Sequence, residues 1–271
     1  MNAALQAIST VYPEAFRKGG KGKGINSVAR TVIDKIENDQ TSPTHEDMYA
    51  MQNALCRQAW DSNIQFIKGH QDDPALLFEG LHSDIGLELI ELSTNTYRAA
   101  DQAFETSHKE KEWCLRAHIP DKQDSVTMKM CLDAVLKQPD NREVEREETI
   151  SGTKKKVKVD LQILTVLEDF PEVLPVLIKR NTDTDGNIIR TPVKGIATVQ
   201  LSEKSAKTHE YTLTACIVHH GHNPYGGHYT AYAKKKERWH HYDDQIVTAL
   251  GDLEALEAME QGCIFFYKRR A

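Results

Sequence analysis

The chain has 271 residues, 39% of them hydrophobic and 27% charged, and a formal charge of −6. That is apolar material for one large domain or two intimate lobes, and too much for a disordered chain. The acidic balance argues against nucleic-acid binding, which needs a dense excess of Lys and Arg to neutralise phosphates, and suits a basic protein partner.

The first two fifths read as helical. Met1, Ala4, Leu5 and Ile8 recur at helical spacing, as do Val28, Val32, Ile33 and Ile36, and then Met48, Met51, Leu55 and Trp60. The glycine-rich RKGGKGKG, residues 17–24, is a loop between the first two helices. Asp73 and Pro74 supply an N-cap and a first-turn proline for a helix carrying Leu77, Leu81 and Ile85. From about residue 110 apolar residues alternate, and segments 144–150, 156–166, 173–179, 196–201, 211–218, 229–233 and 263–267 read as strands. In EYTLTACIV the alternation places Tyr211, Leu213, Ala215 and Ile217 on one face. Helices first and strands afterwards predict an α+β protein, a helical lobe over residues 1–91 against an antiparallel sheet over 92–271.

Five cysteines, Cys56, Cys114, Cys131, Cys216 and Cys263, form no C-x-x-C pair, which indicates a reducing compartment and gives no zinc site. The opening stretch lacks a signal peptide's pattern and no apolar run reaches bilayer length, so a soluble, intracellular chain without a membrane segment is expected. In REVEREETISGTKKKVKVD, residues 142–160, acidic residues precede Ser151-Gly152 and lysines follow it. Two strands joined there form a solvent-exposed hairpin with opposite charges across the pair.

The chemistry concentrates in GGHYTAYAKKKERWHHYDD, residues 226–244. Histidine moves protons near neutral pH, and a carboxylate on one ring nitrogen fixes its tautomer and stabilises the imidazolium. Strands YTAYA and RWHHY, joined by the turn Lys234 to Glu237, bring Asp243 back beside His228. Strict alternation sets Trp239, His241 and Asp243 on one face and His240, Tyr242 and Asp244 on the other, with the two carboxylates pointing in opposite directions. Spacing alone slightly favours a structural histidine at a strand start and an ordinary Asp-Asp turn.

The segment GGHYTAYAKKKERWHHYDDQIV resembles the His-box of the ubiquitin-specific proteases, papain-like cysteine peptidases that remove ubiquitin, and IVHHG and CIFFYKRR fit alongside it. HQDDPALLFEGL is similar to that family's glutamine- and aspartate-bearing helix start, FPEVLPVLIKR to its core strand, and MNAALQAIS to the helix after its nucleophile. The resemblance implies one catalytic domain over 1–271 of papain-like fold, with a helical thumb, an antiparallel palm and a fingers region. It implies catalytic roles for His228, Asp243 and Asp244, a ubiquitin-tail site at Gln71, Asp73, His219, Gly226, Gly227 and Tyr229, no cofactor, and ubiquitin or a ubiquitin-like protein as partner of a monomer.

Three departures qualify this. In the family Met-Asn-Ala begins two residues beyond the nucleophile, so the catalytic cysteine is expected upstream of Met1, the alternative being an inactive ubiquitin-binding module. None of the five cysteines present has the flanking glycine loop of a replacement nucleophile. The positions of two zinc-binding C-x-x-C pairs hold Ala99 and Gln102 on one side and the turn around Gly152 on the other, which implies a metal-free, reduced fingers region with the 142–160 hairpin as its remnant. Leu76 stands where an acidic residue is common, weakening the grip on a basic tail. A remote alternative is a metal-dependent hydrolase built on His219, His220, His222, His228, His240 and His241, although no H-E-x-x-H accompanies them.

Overall fold

The computed structural model describes residues 88–120, 125–180, 186–203, 205–223, 226–244 and 246–270, with residues 7, 10, 11, 31, 32, 35, 44, 46, 47, 49–51, 74–76, 78 and 79 of the first part. Of that last group all but Thr44 are helical, in keeping with the helical reading, and Val32 and Met51 are fully buried. Thr44 and Asp47 exchange hydrogen bonds between side chain and backbone, at 2.7 and 3.3 Å, as a capping box does at a helix start. Pro74 to Leu76 are helical as the Asp-Pro signal predicts; Leu77, Leu81 and Ile85 lie outside the described residues. No helix among the described residues is long and apolar enough to cross a membrane.

The sheet begins earlier than the alternation suggested. Strands β1 (Ile90–Arg98) and β2 (Phe104–Glu112) form a hairpin that pairs through β1 with β6 (Thr153–Leu167), itself paired with β5 (Asp140–Ile150), giving a four-stranded sheet ordered β2-β1-β6-β5. β2 reads FETSHKEKE and is exposed almost throughout, so it carries no apolar alternation to read. The expected 142–160 hairpin is the outer part of this sheet. Ser151 and Gly152 both have positive φ, 52° and 77°, matching a two-residue turn whose twist suits a hairpin. Glu145 faces Lys158, Glu147 faces Lys156 and Glu148 faces Lys155. Ala99 and Gln102 belong to the β1–β2 turn, where Gln102 bonds Gln162 at 2.9 Å. The two hairpins are held together by charge: Arg146 pairs with Glu105 and Glu148, and Arg98 with the same two carboxylates. Those bonds, from Arg146 first, push the Glu105 carboxyl down to about 2.

The larger sheet carries the site. Its order is β13-β12-β11-β10-β14-β7-β3, with β9 (Thr198–Ser202) also on β10. The strands are β3 (Leu115–His118), β7 (Val173–Lys179), β10 (Thr208–Asn223), β11 (Gly226–Lys235), β12 (Arg238–Asp243), β13 (Ile246–Leu250) and β14 (Gly262–Arg269). Only β3–β7 is parallel among these pairs; the short β4 (Val126–Thr127) and β8 (Val193–Lys194) form a parallel pair apart. Two helices were not read from the sequence. Helix α1 (Met128–Leu136) is capped by the Thr127 hydroxyl and buries Met128, Cys131, Leu132 and Ala134, while α2 (Asp252–Met259) buries Ala255 and Met259.

The alternation read along β10 is corrected by a β-bulge. Leu213 faces Tyr267 but Ala215 faces Phe266, so Thr214 is the extra residue and its hydroxyl bonds the Phe266 carbonyl at 3.0 Å. The bulge exchanges the faces beyond it, and Tyr211, Leu213, Cys216 and Val218 line one side with Phe265 and Tyr267. The helical segment joins the sheet through Phe78, fully buried, stacked on Trp113 at 5.0 Å and tilted against Phe266 at 5.3 Å. Phe78→Ala removes both contacts and leaves a cavity, so urea unfolding is expected to show a loss of about 3–5 kcal/mol. A loss below about 1 kcal/mol would show that this contact does not tie the two parts together.

Candidate active site

The turn between β11 and β12 sets the geometry. Lys236 and Glu237 have φ of 49° and 62°, and the tight turn puts Lys235 opposite Arg238 and Ala231 opposite Tyr242. In this register Asp243, at the end of β12, lies on the face of β11 that carries Thr230 and His228. His228 Nε2 meets Asp243 Oδ1 at 2.5 Å. That bond, first among the causes, holds the Asp243 carboxyl below its usual range, so it is ionised at neutral pH and only accepts. Nε2 is therefore the donor, and neutral His228 keeps its lone pair on Nδ1.

Asp244 departs from the expected direction. Its φ of 49° takes the chain out of the strand, a conformation Asp tolerates, and its carboxylate turns back instead of alternating away. One nitrogen of His228 and one oxygen each of Asp243 and Asp244 lie within 4.8 Å of one another. Two carboxylates thus converge on one imidazole. No other group of acidic, histidine or cysteine side chains among the described residues comes as close to a cation site, but Nε2 is already committed to Asp243.

Of the residues expected at a tail site, Gly227, His219 and Tyr229 lie together. Gly227 is pressed on His219: a methyl there would lie 2.6 Å from the His220 carbonyl and closer still to the His219 ring, so only glycine fits. Gly221 is equally confined, its added carbon 2.5 Å from the Gly226 carbonyl. His219 is buried beneath these glycines and packs on Tyr229 at 4.6 Å, on the strand face opposite His228, which makes its ring a floor for the glycines. Gln71 and Asp73 lie outside the described residues.

The six clustered histidines do not converge. His219 faces one side of the sheet, His220, His228 and His241 the other, His222 is exposed near the end of β10, and half-buried His240 bonds the Arg238 carbonyl at 3.1 Å. Nor is a described thiol activated. Burial pushes Cys114 up to about 12, Cys131 up to about 11, and Cys216 upward as well. Cys263 donates to the Ile217 carbonyl at 3.2 Å, and Cys56 lies outside the described residues.

Sequence reasoning missed the supports. Arg180, ending the VLPVLIKR segment, donates to the carbonyls of Gly262, Ile189, Thr191 and Glu260 at 2.9–3.3 Å. Arg190 donates to the His219 carbonyl at 2.9 Å and to that of Gly221. No spacing rule reveals either, because their partners are backbone carbonyls remote in sequence. His220 and His241 are both shifted below the usual 6.5, each chiefly by partial desolvation, although His220 keeps much of its surface exposed and His241 is half-buried. The unfolded chain therefore binds protons that the folded one refuses, and stability falls as pH drops below 6.5 toward the folded values. The midpoint of thermal unfolding is expected to fall between about pH 7 and about pH 5.5, and the double variant His220→Gln/His241→Gln to flatten that slope. An unchanged slope in the double variant would assign the loss to other groups.

The family model for ubiquitin carboxyl-terminal hydrolases matches residues 1–267, and the chain belongs to that family. It is 41% identical over 61 residues to ubiquitin carboxyl-terminal hydrolase 3 of Mus musculus, a match covering 22% of this chain and 12% of that protein. It is 40% identical over 72 residues to ubiquitin carboxyl-terminal hydrolase 24 of Arabidopsis thaliana, covering 26% and 12%. These matches thus span about an eighth of the relatives' length. Among solved structures, the SAGA Ubp8/Sgf11/Sus1/Sgf73 DUB module bound to ubiquitin aldehyde superposes with a TM-score of 0.73 at 15% identity, covering 100% of this chain and 67% of that one. The same module bound to monoubiquitin gives 0.73 at 14% identity, covering 100% and 66%. The fold is the α+β, papain-like fold of the ubiquitin-specific proteases.

Proposed function

We propose that this chain is the catalytic domain of a thiol-dependent deubiquitinase, cleaving isopeptide or peptide bonds at the C-terminal glycine of ubiquitin or a ubiquitin-like modifier. The observation that carries the reading is the His228 Nε2–Asp243 Oδ1 bond in a chain of this family. With Nε2 donating to Asp243, Nδ1 faces the reaction and takes the proton of a cysteine placed two residues before Met1, the family's nucleophile position. The thiolate attacks the glycyl carbonyl, the imidazolium protonates the leaving lysine amine, and a thioester remains. Water, deprotonated by His228, then releases the modifier and the thiol. Asp243 orients the ring and stabilises its charged form, while Gly226, open where a side chain would stand, leaves room for a glycine tail and Gly227 packs on His219. Gln71 and Asp73 would hold the preceding residues of the tail, and the free thiols among the described residues suit a reducing, intracellular setting.

The test uses the chain extended at its N-terminus by a segment carrying that cysteine. Incubated with ubiquitin joined to a fluorogenic amide, it is expected to release the fluorophore and, with ubiquitin bearing an electrophilic tail, to form a covalent adduct. Binding of ubiquitin with neither product would replace this reading by a ubiquitin-binding module. No binding at all would overturn both.

A further inference from the structure

We infer that His220 is a positioning residue for His228, a fixed imidazole that keeps the neighbouring ring turned onto Asp243. This rests on the reading of His228 as the base. The side chains of His228 and Asp243 are 39% and 41% exposed, and an ion pair so open to water holds an orientation only weakly. The imidazole has three staggered χ1 wells, so something else must select the one that meets the carboxylate.

His220 stands directly opposite His228 in the antiparallel pair, on the same face, with ring centroids 6.4 Å apart and planes 30° from parallel. It occupies the side of His228 away from Asp243, the space into which that ring would swing. The ladder is irregular between His220 and Asn223, and its last rung pairs Asn223 with Gly226, so His220 is the one β10 residue directly opposite His228.

His220 is itself anchored twice. Its Nε2 lies 2.8 Å from the hydroxyl of Thr230, a buried residue two positions along β11 from His228, and that hydroxyl also bonds Tyr232, on which His241 stacks at 4.5 Å. Its backbone is clamped by Arg190, which grips the carbonyls on either side, those of His219 and Gly221. A ring held by side chain and backbone at once resists displacement as a freely rotating residue does not. His220 keeps much of its surface exposed, but partial desolvation, the nearby His228 and His241, and Arg190 lower its pKa while Asp243 opposes them, which disfavours a second charge beside the base.

The test needs no nucleophile. Nitrogen-15 NMR of the histidines in the chain as it stands reads the His228 tautomer directly, and one tautomer with the proton on Nε2 is expected. In His220→Ala the signals are expected to move toward the average of both tautomers. In His220→Gln, which still reaches Thr230, they are expected to stay near the wild-type position. Thr230→Val, which frees the His220 ring without removing it, is expected to shift them in the same direction as His220→Ala and by less, and it tests the proposal if His220→Ala does not fold. In the cysteine-bearing chain kcat should fall about tenfold in His220→Ala with KM within about twofold, and recover in His220→Gln. An unchanged His228 tautomer in both His220→Ala and Thr230→Val would overturn the proposal, as would equal losses in the Ala and Gln variants. A tautomer shift in His220→Ala, with no ubiquitin cleavage by the cysteine-bearing chain that retains His220, would sustain the positioning role while refuting the deubiquitinase reading.

Discussion

In the cysteine-bearing chain, His228→Ala is expected to lower cleavage of a ubiquitin-linked reporter by at least about 10³-fold, with KM changed by less than about threefold. Two steps need the same imidazole: it removes the thiol proton before attack and returns a proton to the leaving amine. No described neighbour can replace it. His220 is on the same face but its Nε2 is engaged with Thr230, and His241 lies on the next strand stacked against Tyr232. Because the His228 side chain is 39% exposed, its loss leaves little cavity and the fold should survive, which thermal unfolding of the variant would show. His240→Ala is the matched control, a half-buried histidine on the opposite face, and its rate should stay within about twofold. A His228→Ala variant retaining a tenth or more of the activity would remove the base assignment altogether.

Much of this architecture was legible because the palm obeys a period of two. The VLPVLIK strand was read with the ends it has, Val173 to Lys179, and the apposition of YTAYA with RWHHY followed from a turn between apolar alternations. What escaped was whatever departs from periodicity. Strand β2 is too polar to signal itself, and the hairpin is held by its β1 side, through the Ile90 and Leu92 core contacts and pairing with β6, with the Arg98, Glu105, Arg146 and Glu148 charges added at its outer end. Helix α1 lies in a stretch read as alternating, although Met128, Cys131, Leu132 and Val135 repeat at helical spacing behind a Thr127 cap. Thr214 shifted the faces of β10 by one residue, a change that no side-chain pattern announces because Ala215, Cys216, Ile217 and Val218 are all buried. At the site, His228 and Asp243 were legible as a pair because a hairpin links them. His220 acquires its place only through the β10–β11 register.

The two aspartates are the sharpest test of the site. Asp243→Asn is expected to slow turnover by about 10²–10⁴-fold in the cysteine-bearing chain, and Asp244→Asn by less than about tenfold. Strand alternation would have pointed the second carboxylate away, but the positive φ of Asp244 brings both toward His228, so direction alone does not decide between them. Contact does. Asp243 accepts from Nε2 at 2.5 Å, and that bond is the leading cause of its lowered pKa, so its charge and the imidazolium stabilise each other. An asparagine there offers an amide that can donate to Nε2 as readily as accept from it, which permits the tautomer with its proton on Nδ1, where the thiol's proton must go. Asparagine at 244 keeps the backbone conformation, because Asn tolerates left-handed φ as Asp does, and removes one charge at longer range from a partly solvated ring. Substrate affinity is expected to change little in either variant, since the role proposed for both carboxylates is toward the His228 ring. The double variant should match Asp243→Asn alone if Asp244 only supplies background charge. A further hundredfold fall in the double variant, or equal losses in the two singles, would show that the carboxylates share the imidazole, and the orienting role would pass to the pair.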